Sequence, residues 1–281
     1  MIKKKLLIVI PFFNEQDFLQ KSIESVIKNS SSDFSDILLI DDASNDSSYD
    51  IALKFANKHD HIIIIRNKTN IGVTESIKNL VDLNKYTYIA RHDADDLSLN
   101  KRFIKEIDYL ERNTNCAVVG TGFYNFNFKT NNFVKVRVSI SKFFNKFIFN
   151  YVNIINTGTS MWRSSALQSI GGFQKINNKV EGYATISRLL NNGYEAHNIQ
   201  DICYAYITHS LKMHRSHSDN FKTRNDSMIS SHKDRGGLLK IIIWSNLNFW
   251  ERVFSKNLRN RLIGRRLTRL TYLEAKKIIS I

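Results

Sequence analysis

Tyr86-Thr87-Tyr88-Ile89-Ala90-Arg91-His92-Asp93-Ala94-Asp95-Asp96 is a short apolar run that breaks at once into charge. Its β-branched and aromatic residues fit a buried strand, and its end delivers three carboxylates within four positions. The same grammar occurs three times upstream. Apolar runs at 6–11, 37–40 and 62–65 end in Phe13-Asn14-Glu15, Asp41-Asp42 and Arg66-Asn67. Between the runs, 16–29, 47–58 and 73–83 space their apolar residues three or four apart, as amphipathic helices do. Strand–helix alternation with short links predicts an α/β fold, a Rossmann-like, mostly parallel central sheet with flanking helices. In such sheets ligands collect at the carboxyl ends of the strands, where these four polar clusters fall.

Beyond residue 97 the pattern changes. Residues 100–112 read as a helix, 116–136 as strands joined by an Asn-rich turn, and 156–162 as a strand. Residues 163–170 read as a helix stopped by Gly171-Gly172, 187–190 belong to a further helix, and 202–207 to a strand. The aromatic and basic stretch at 142–151 reads as core with lysines reaching outward, or as a surface for sugars or a membrane. A boundary near His217 divides a catalytic domain, 1–217, from a basic helical C-terminal extension, 218–281.

The chain has 281 residues and a net charge of +15. From Ser231 onward there are twelve Lys/Arg against three acidic residues, so the extension holds +9 of that excess. Segments 238–244 and 249–254 carry tryptophans beside these cations, which suits helices lying in an anionic membrane interface. A helical hairpin packed on the domain is the alternative. No run approaches the roughly 20 apolar residues needed to cross a bilayer. The Lys-rich start followed by 6–11 reads as a first strand, because Asn14, Glu15 and Asp17 follow without a cleavage site. Cys116 and Cys203 have no metal-ligand spacing and read as buried reduced thiols, consistent with a cytoplasmic protein.

In an extended segment residues two apart share a side, so Asp93 and Asp95 are expected to converge while Asp96 points away. One or two carboxylates, with water and phosphate completing the shell, suit Mg2+ or Mn2+ on a diphosphate. Asp46 reads as a helix cap, and Asp42 as either a cap or a ligand contact.

Four segments together resemble the family 2 glycosyltransferases of GT-A fold, as found in bacterial cell-surface polysaccharide synthesis. Ile8-Val9-Ile10-Pro11-Phe12-Phe13-Asn14-Glu15 is similar to the opening signature, and Ile40-Asp41-Asp42-Ala43-Ser44-Asn45-Asp46-Ser47 to the second. Asn70-Ile71-Gly72 with Ser76 and Asn79 resembles the third, with serine in place of alanine, and Asp93 to Asp96 the fourth. The resemblance covers about residues 5–100 and weakens through Gly171-Gly172-Phe173. It implies a nucleotide-sugar donor held by Pro11, Phe13, Glu15, Asp42, Asn70 and Asp93. It also implies a metal on Asp95 and Asp93 with a late histidine, His209, His214 or His217, of which His209 is taken as ligand. Lys212 and Arg215 would reach the diphosphate.

Inverting members use an acidic Glu-Asp pair after the Gly-Gly-Phe turn, one acid being the general base. Here the place is Glu181-Gly182-Tyr183-Ala184, so the expected aspartate is a glycine. Glu181 is then the catalytic base, or Glu195 or Asp201 acts from elsewhere, or turnover is impaired and the protein binds nucleotide-sugar or glycan. Restoring an acid by Gly182→Asp is expected to raise activity if the site is merely crippled.

The implied function is metal-dependent sugar transfer from a nucleotide-sugar donor to a glycan or lipid-linked acceptor, peripherally at the inner face of the cell membrane. A sugar-phosphate nucleotidyltransferase would need a Gly-rich basic loop after the first strand, which Pro11 to Glu15 does not supply. Nucleic acid is not an expected partner, since it would not account for the four acidic and polar strand ends.

Overall fold

The computed structural model describes residues 5–127, 132–136, 155–173, 181–208 and 269–270, without the side chains of 79, 80, 132–136, 181, 269 and 270. The segment 142–151, the candidates His209, His214 and His217, Lys212, Arg215, and the extension apart from two residues lie outside these.

In chain order the elements are β1 (Leu6–Phe12), α1 (Leu19–Asn29), β2 (Ser35–Asp41), α2 (Ser48–Lys58), β3 (Ile62–Arg66), α3 (Val73–Leu80) and β4 (Tyr88–Arg91). There follow β5 (Leu97–Ser98), α4 (Arg102–Arg112), β6 (Cys116–Asn127), β7 (Asn132–Val136), a 3-10 turn (Thr157–Thr159) and β8 (Met161–Arg163). The last are α5 (Ser164–Ser169), α6 (Glu181–Asn191), β9 (Glu195–Thr208) and β10 (Arg269–Leu270). The strand expected at 156–162 is thus mostly the 3-10 turn. In the extension, where helix was expected, Arg269–Leu270 pairs antiparallel with β7.

The strands run β10-β7-β6-β8-β4-β1-β2-β3, with β9 added to β6 and β5. β4, β1, β2 and β3 are parallel neighbours, so their carboxyl ends share one edge. β9 runs parallel to β6, while β8 pairs antiparallel with both β4 and β6. Every residue of β1, β2 and β4 is buried. Alternate residues serve opposite faces: Leu7, Val9, Leu38, Ile40 and Ile89 meet Ile77, Trp162, Tyr183 and Phe173 on one side. Leu6, Ile8, Ile10, Ile37 and Leu39 meet Leu19, Ile23, Val26 and Phe103 on the other. Each such side chain contributes about 1.5–3 kcal/mol on burial, which makes these runs obligatory interior strands. β3 departs from the expectation of burial on both faces. It is the sheet edge, and Ile63 is exposed.

Pro11 sits where its missing N–H is harmless. Val9 C=O accepts from His92 N–H on the β4 side, and Pro11, two residues on, faces the same side. The β1–β4 ladder has already ended at Val9 opposite Arg91, so no partner is left without a donor.

Cys116 and Cys203 are buried and unbridged, and burial pushes their thiols up to about 12 and about 11. No helix among the described residues is long and apolar enough to cross a membrane.

Candidate functional site

The loops after β1 and β2 are stitched to each other. Asn14 has a left-handed backbone (φ 55), donates its N–H to Ser44 Oγ (3.0 Å) and accepts Asn45 N–H on Oδ1 (2.9 Å). Glu15 N–H donates to Ser48 Oγ (2.8 Å). Asp46 accepts Ser48 N–H (2.9 Å) at the start of α2, as expected of a cap. Phe13, at 43% exposure, projects from this rim, and Glu15 is half-buried beside it.

Asp41 is fully buried. Its Oδ1 accepts Ser44 N–H (2.9 Å) and its Oδ2 pairs with Arg66 Nε (3.0 Å). Ala43 between them has φ 65, a conformation that costs a non-glycine residue about 1–2 kcal/mol. That strain is held in place by the bonds on either side. Asp42 was expected to bond the nucleotide. Its carboxylate also accepts bonds within the chain. Oδ1 accepts from Asn67 Nδ2 (2.8 Å), Ile71 N–H (3.0 Å) and Ser76 Oγ (3.3 Å), and Oδ2 from Gly72 N–H (2.8 Å). Asp42 therefore holds the loop that leads from β3 into α3 and presents exposed Asn70 at the same edge.

The fourth strand end differs from its expected form. Asp96 N–H donates to Asp93 C=O (3.1 Å), so Asp93 to Asp96 is a turn, and strand alternation does not govern where its carboxylates point. Asp96 does point away: fully buried, it accepts Ile207 N–H (2.8 Å) and Tyr204 Oη–H (2.9 Å) from β9. Asp95 is buried at 6% exposure, and the Asp93 side chain is 31% exposed. Arg91 reaches Asp93 Oδ1 with Nη2 (3.4 Å), while its buried Nε and Nη1 have no hydrogen-bond partner among the described residues. Among the described residues no three His, Cys, Asp or Glu side chains converge on one point. Two carboxylates at one strand end fit an ion that takes its other ligands from phosphate and water.

Beneath the turn lies a buried polar lattice. His92 Nε2 meets Ser22 Oγ (2.9 Å) and its Nδ1 meets Ser98 Oγ (3.1 Å). Burial and then the charge of Arg102 hold His92 well below the usual histidine range, so it is neutral at pH 7. Arg102 donates to Arg91 C=O (2.7 Å) and to Glu106 (3.1 Å), and burial raises Glu106 to about 7 against the pull of Arg102. None of these partners was singled out from the sequence. His92 stood next to the motif, but nothing in the spacing of Ser22, Arg102, Glu106 or Tyr204 marked them.

On the other side of Asp93 runs the 3-10 turn. A Cβ at Gly158 would lie 2.5 Å from Tyr204 Oη and 2.7 Å from Asp93 Oδ2, so a side chain here would force Tyr204 or Asp93 to move. Its neighbour Thr157 packs on the start of α6. A Cβ at Gly182 would fall on Thr157 Oγ1 and within 3.1 Å of Thr157 Cγ2. A side chain at Gly182, where an aspartate was expected, therefore requires Thr157 to shift. Glu181 opens α6 as its first residue. Of the other acids considered for the base, Glu195 pairs with His197 (3.0 Å) at the amino end of β9. Glu195 lies opposite Cys116 and Tyr204 opposite Phe123 on β6, roughly 20 Å apart along the strand, which sets Glu195 away from this site. Asp201 is bound to Lys105 on α4 (2.7 Å).

A family model described as glycosyl transferase family 2 matches residues 7–171, more than half of the chain. The chain belongs to glycosyl transferase family 2. The matched span takes in all four strand ends and closes at Gly171, ten residues before Glu181. The putative glycosyltransferase EpsE of Bacillus subtilis (strain 168) is 29% identical over 224 residues, 79% of this chain and 76% of the relative. The crystal structure of S. aureus TarS 1-349 in complex with UDP-GlcNAc superimposes with TM-score 0.61 at 18% identity, over 91% of this chain and 74% of that one. Mannosyltransferase PcManGT from Pyrobaculum calidifontis, in complex with GDP-Man and Mn2+, does so with TM-score 0.57 at 11% identity, over 99% and 87%. At such identities the likeness shows the fold, and the fold is GT-A. As a family 2 member, this chain is a glycosyltransferase.

Proposed function

We propose that the chain transfers a hexosyl or related glycosyl group, with inversion, from a nucleotide-sugar donor to a glycan or lipid-linked acceptor in cell-surface polysaccharide synthesis. The observation that carries this is the convergence of four polar strand ends on one sheet edge, with Asp93 and Asp95 at its mouth. The neighbours support the donor class, since TarS was solved with UDP-GlcNAc and PcManGT with GDP-Man and Mn2+.

In this reading Pro11, Phe13, Glu15, Asp42, Asn70 and Asp93 bind the nucleotide-sugar, and Asp42 also holds the Asn70 loop from beneath. Asp93 and Asp95 hold Mn2+ or Mg2+, joined by His209, and the bound cation would neutralise charge building on the departing nucleoside diphosphate. Glu181, at the amino end of α6, takes the proton from the acceptor hydroxyl. Domain 1–217 performs the chemistry, and the basic extension 218–281 holds the protein on an anionic membrane surface, at the cytoplasmic face where a lipid-linked acceptor is confined.

Calorimetry with UDP or GDP, with and without Mn2+, tests the core of the proposal. Asp95→Ala should remove metal-dependent nucleotide binding while the protein stays folded. Unchanged metal-dependent affinity in that variant would sink the metal assignment.

A second reading, donor binding with little turnover, is favoured by the closed packing of Gly182 on Thr157. The two part on one assay. Release of free sugar from the bound donor, or its transfer to an acceptor extract, supports an enzyme, and tight binding without either supports the second.

A further inference from the structure

Tyr204 lies on β9, 108 residues from Asp96 in the chain, and its ring is fully buried. Packing alone would be met by phenylalanine at this position. The ring lies under the Arg102 guanidinium (5.1 Å) and edge-on to His92 (5.4 Å), contacts that need no hydroxyl. The hydroxyl has its own assignments, and both are on the same turn. It donates to Asp96 Oδ2 (2.9 Å) and accepts the backbone N–H of Asp93 (3.2 Å). Gly158 closes over it, leaving no room for even a methyl group between Tyr204 Oη and Asp93 Oδ2.

We infer that Tyr204 is a positioning residue for the metal-binding turn: through its hydroxyl it draws Asp96 inward and fixes the peptide of Asp93, so that Asp93 and Asp95 face the cleft. The inference rests on the metal-dependent reading above. The physical reason is the division of three neighbouring acids. Three carboxylates on a four-residue turn repel one another and compete for one cation. Asp96 is withdrawn by two neutral donors, Tyr204 Oη–H and Ile207 N–H, which satisfy both its oxygens. The remaining pair is then aimed by the backbone it hangs from. Ser22 Oγ, donating to Asp93 C=O (3.3 Å), and Tyr204 Oη, accepting Asp93 N–H, hold the backbone on both sides of the Asp93 Cα. Groups that orient a metal ligand without touching the metal typically change its affinity by about 10–100-fold when removed.

The test is an Mn2+ titration of the full chain in the presence of UDP or GDP, whichever the wild type binds, read by calorimetry and by the electron paramagnetic resonance signal of free Mn2+. Tyr204→Phe keeps the ring and should raise the half-saturating Mn2+ concentration by about tenfold, leaving metal-free nucleotide affinity unchanged. Asp96→Asn weakens the same bond from its other end and should move the Mn2+ requirement in the same direction. It also serves if Tyr204→Phe fails to fold. Unchanged Mn2+ dependence in a folded variant, or an equal loss of nucleotide affinity with and without metal, overturns the positioning role alone. A wild type whose nucleotide affinity ignores Mn2+ overturns the metal reading, and this inference with it.

Discussion

The carboxyl-end edge of β1 to β4 and the amino end of α6 both adjoin the turn Thr157–Thr159 but are built on opposite plans. At the strand ends each acid has a defined place: Asp41 on Arg66, Asp42 on the Asn67-to-Ser76 loop, Asp96 on β9. Asp93, beside Arg91, and Asp95 stand at the fourth strand end. At α6 the position that the resemblance reserves for an acid is glycine, and Thr157 fills the space beside it. The first region commits Asp41, Asp42 and Asp96 to architecture. In the second, Thr157 packs beside the position where the resemblance expects an acid.

The strongest way to sharpen this contrast is Glu181→Gln. With Gly182 closed, Glu195 distant and Asp201 bound to Lys105, Glu181 is the acid left at this helix. Its amide should lower turnover about 10²-fold or more with little change in donor affinity. Normal turnover on the true acceptor would break the assignment of the base to α6.

A smaller effect is expected at the closed position itself. Gly182→Asp should destabilise the protein by about 1–3 kcal/mol through overpacking on Thr157, without a gain in turnover. Thr157→Ala in the same chain should recover part of that loss. Urea denaturation of the single and double variants reads both. A Gly182→Asp protein as stable as wild type and more active would show that the space is open, and the contrast would collapse.

The smallest effect concerns the extension. Near an anionic surface each Lys or Arg contributes about 1 kcal/mol, so a chain ending at Ser231 should sediment less with anionic liposomes than the full chain. Equal binding by both would place the membrane contact elsewhere, and a tail docked on the domain would agree with Arg269–Leu270 lying on the sheet.

Much of the fold was legible. The apolar runs at 6–11, 37–40 and 62–65 became Leu6–Phe12, Ser35–Asp41 and Ile62–Arg66, each within two residues of its expected end. The helices at 47–58 and 100–112 likewise became Ser48–Lys58 and Arg102–Arg112. These depend on periodicity within a dozen residues, which sequence displays directly. The edge position of β3 was not legible, since a run of four isoleucines gives no sign that one face lacks a neighbour.

By itself the sequence determined the strand–helix order, the parallel block, the polar strand ends, and the family to which those ends belong. Only the tertiary structure decided which acids are committed to the framework. It bent Asp93 to Asp96 into a turn, gave Asp42 to a loop about 30 residues away, tied Asp96 to Tyr204 across 108, and closed Thr157 over Gly182. The reason is the range of the forces involved. Local propensity and hydrophobic spacing are properties of neighbours in the chain. The partner of a buried carboxylate is chosen by whichever donors the folded sheet brings within about 3 Å, and nothing near that carboxylate in the sequence names them.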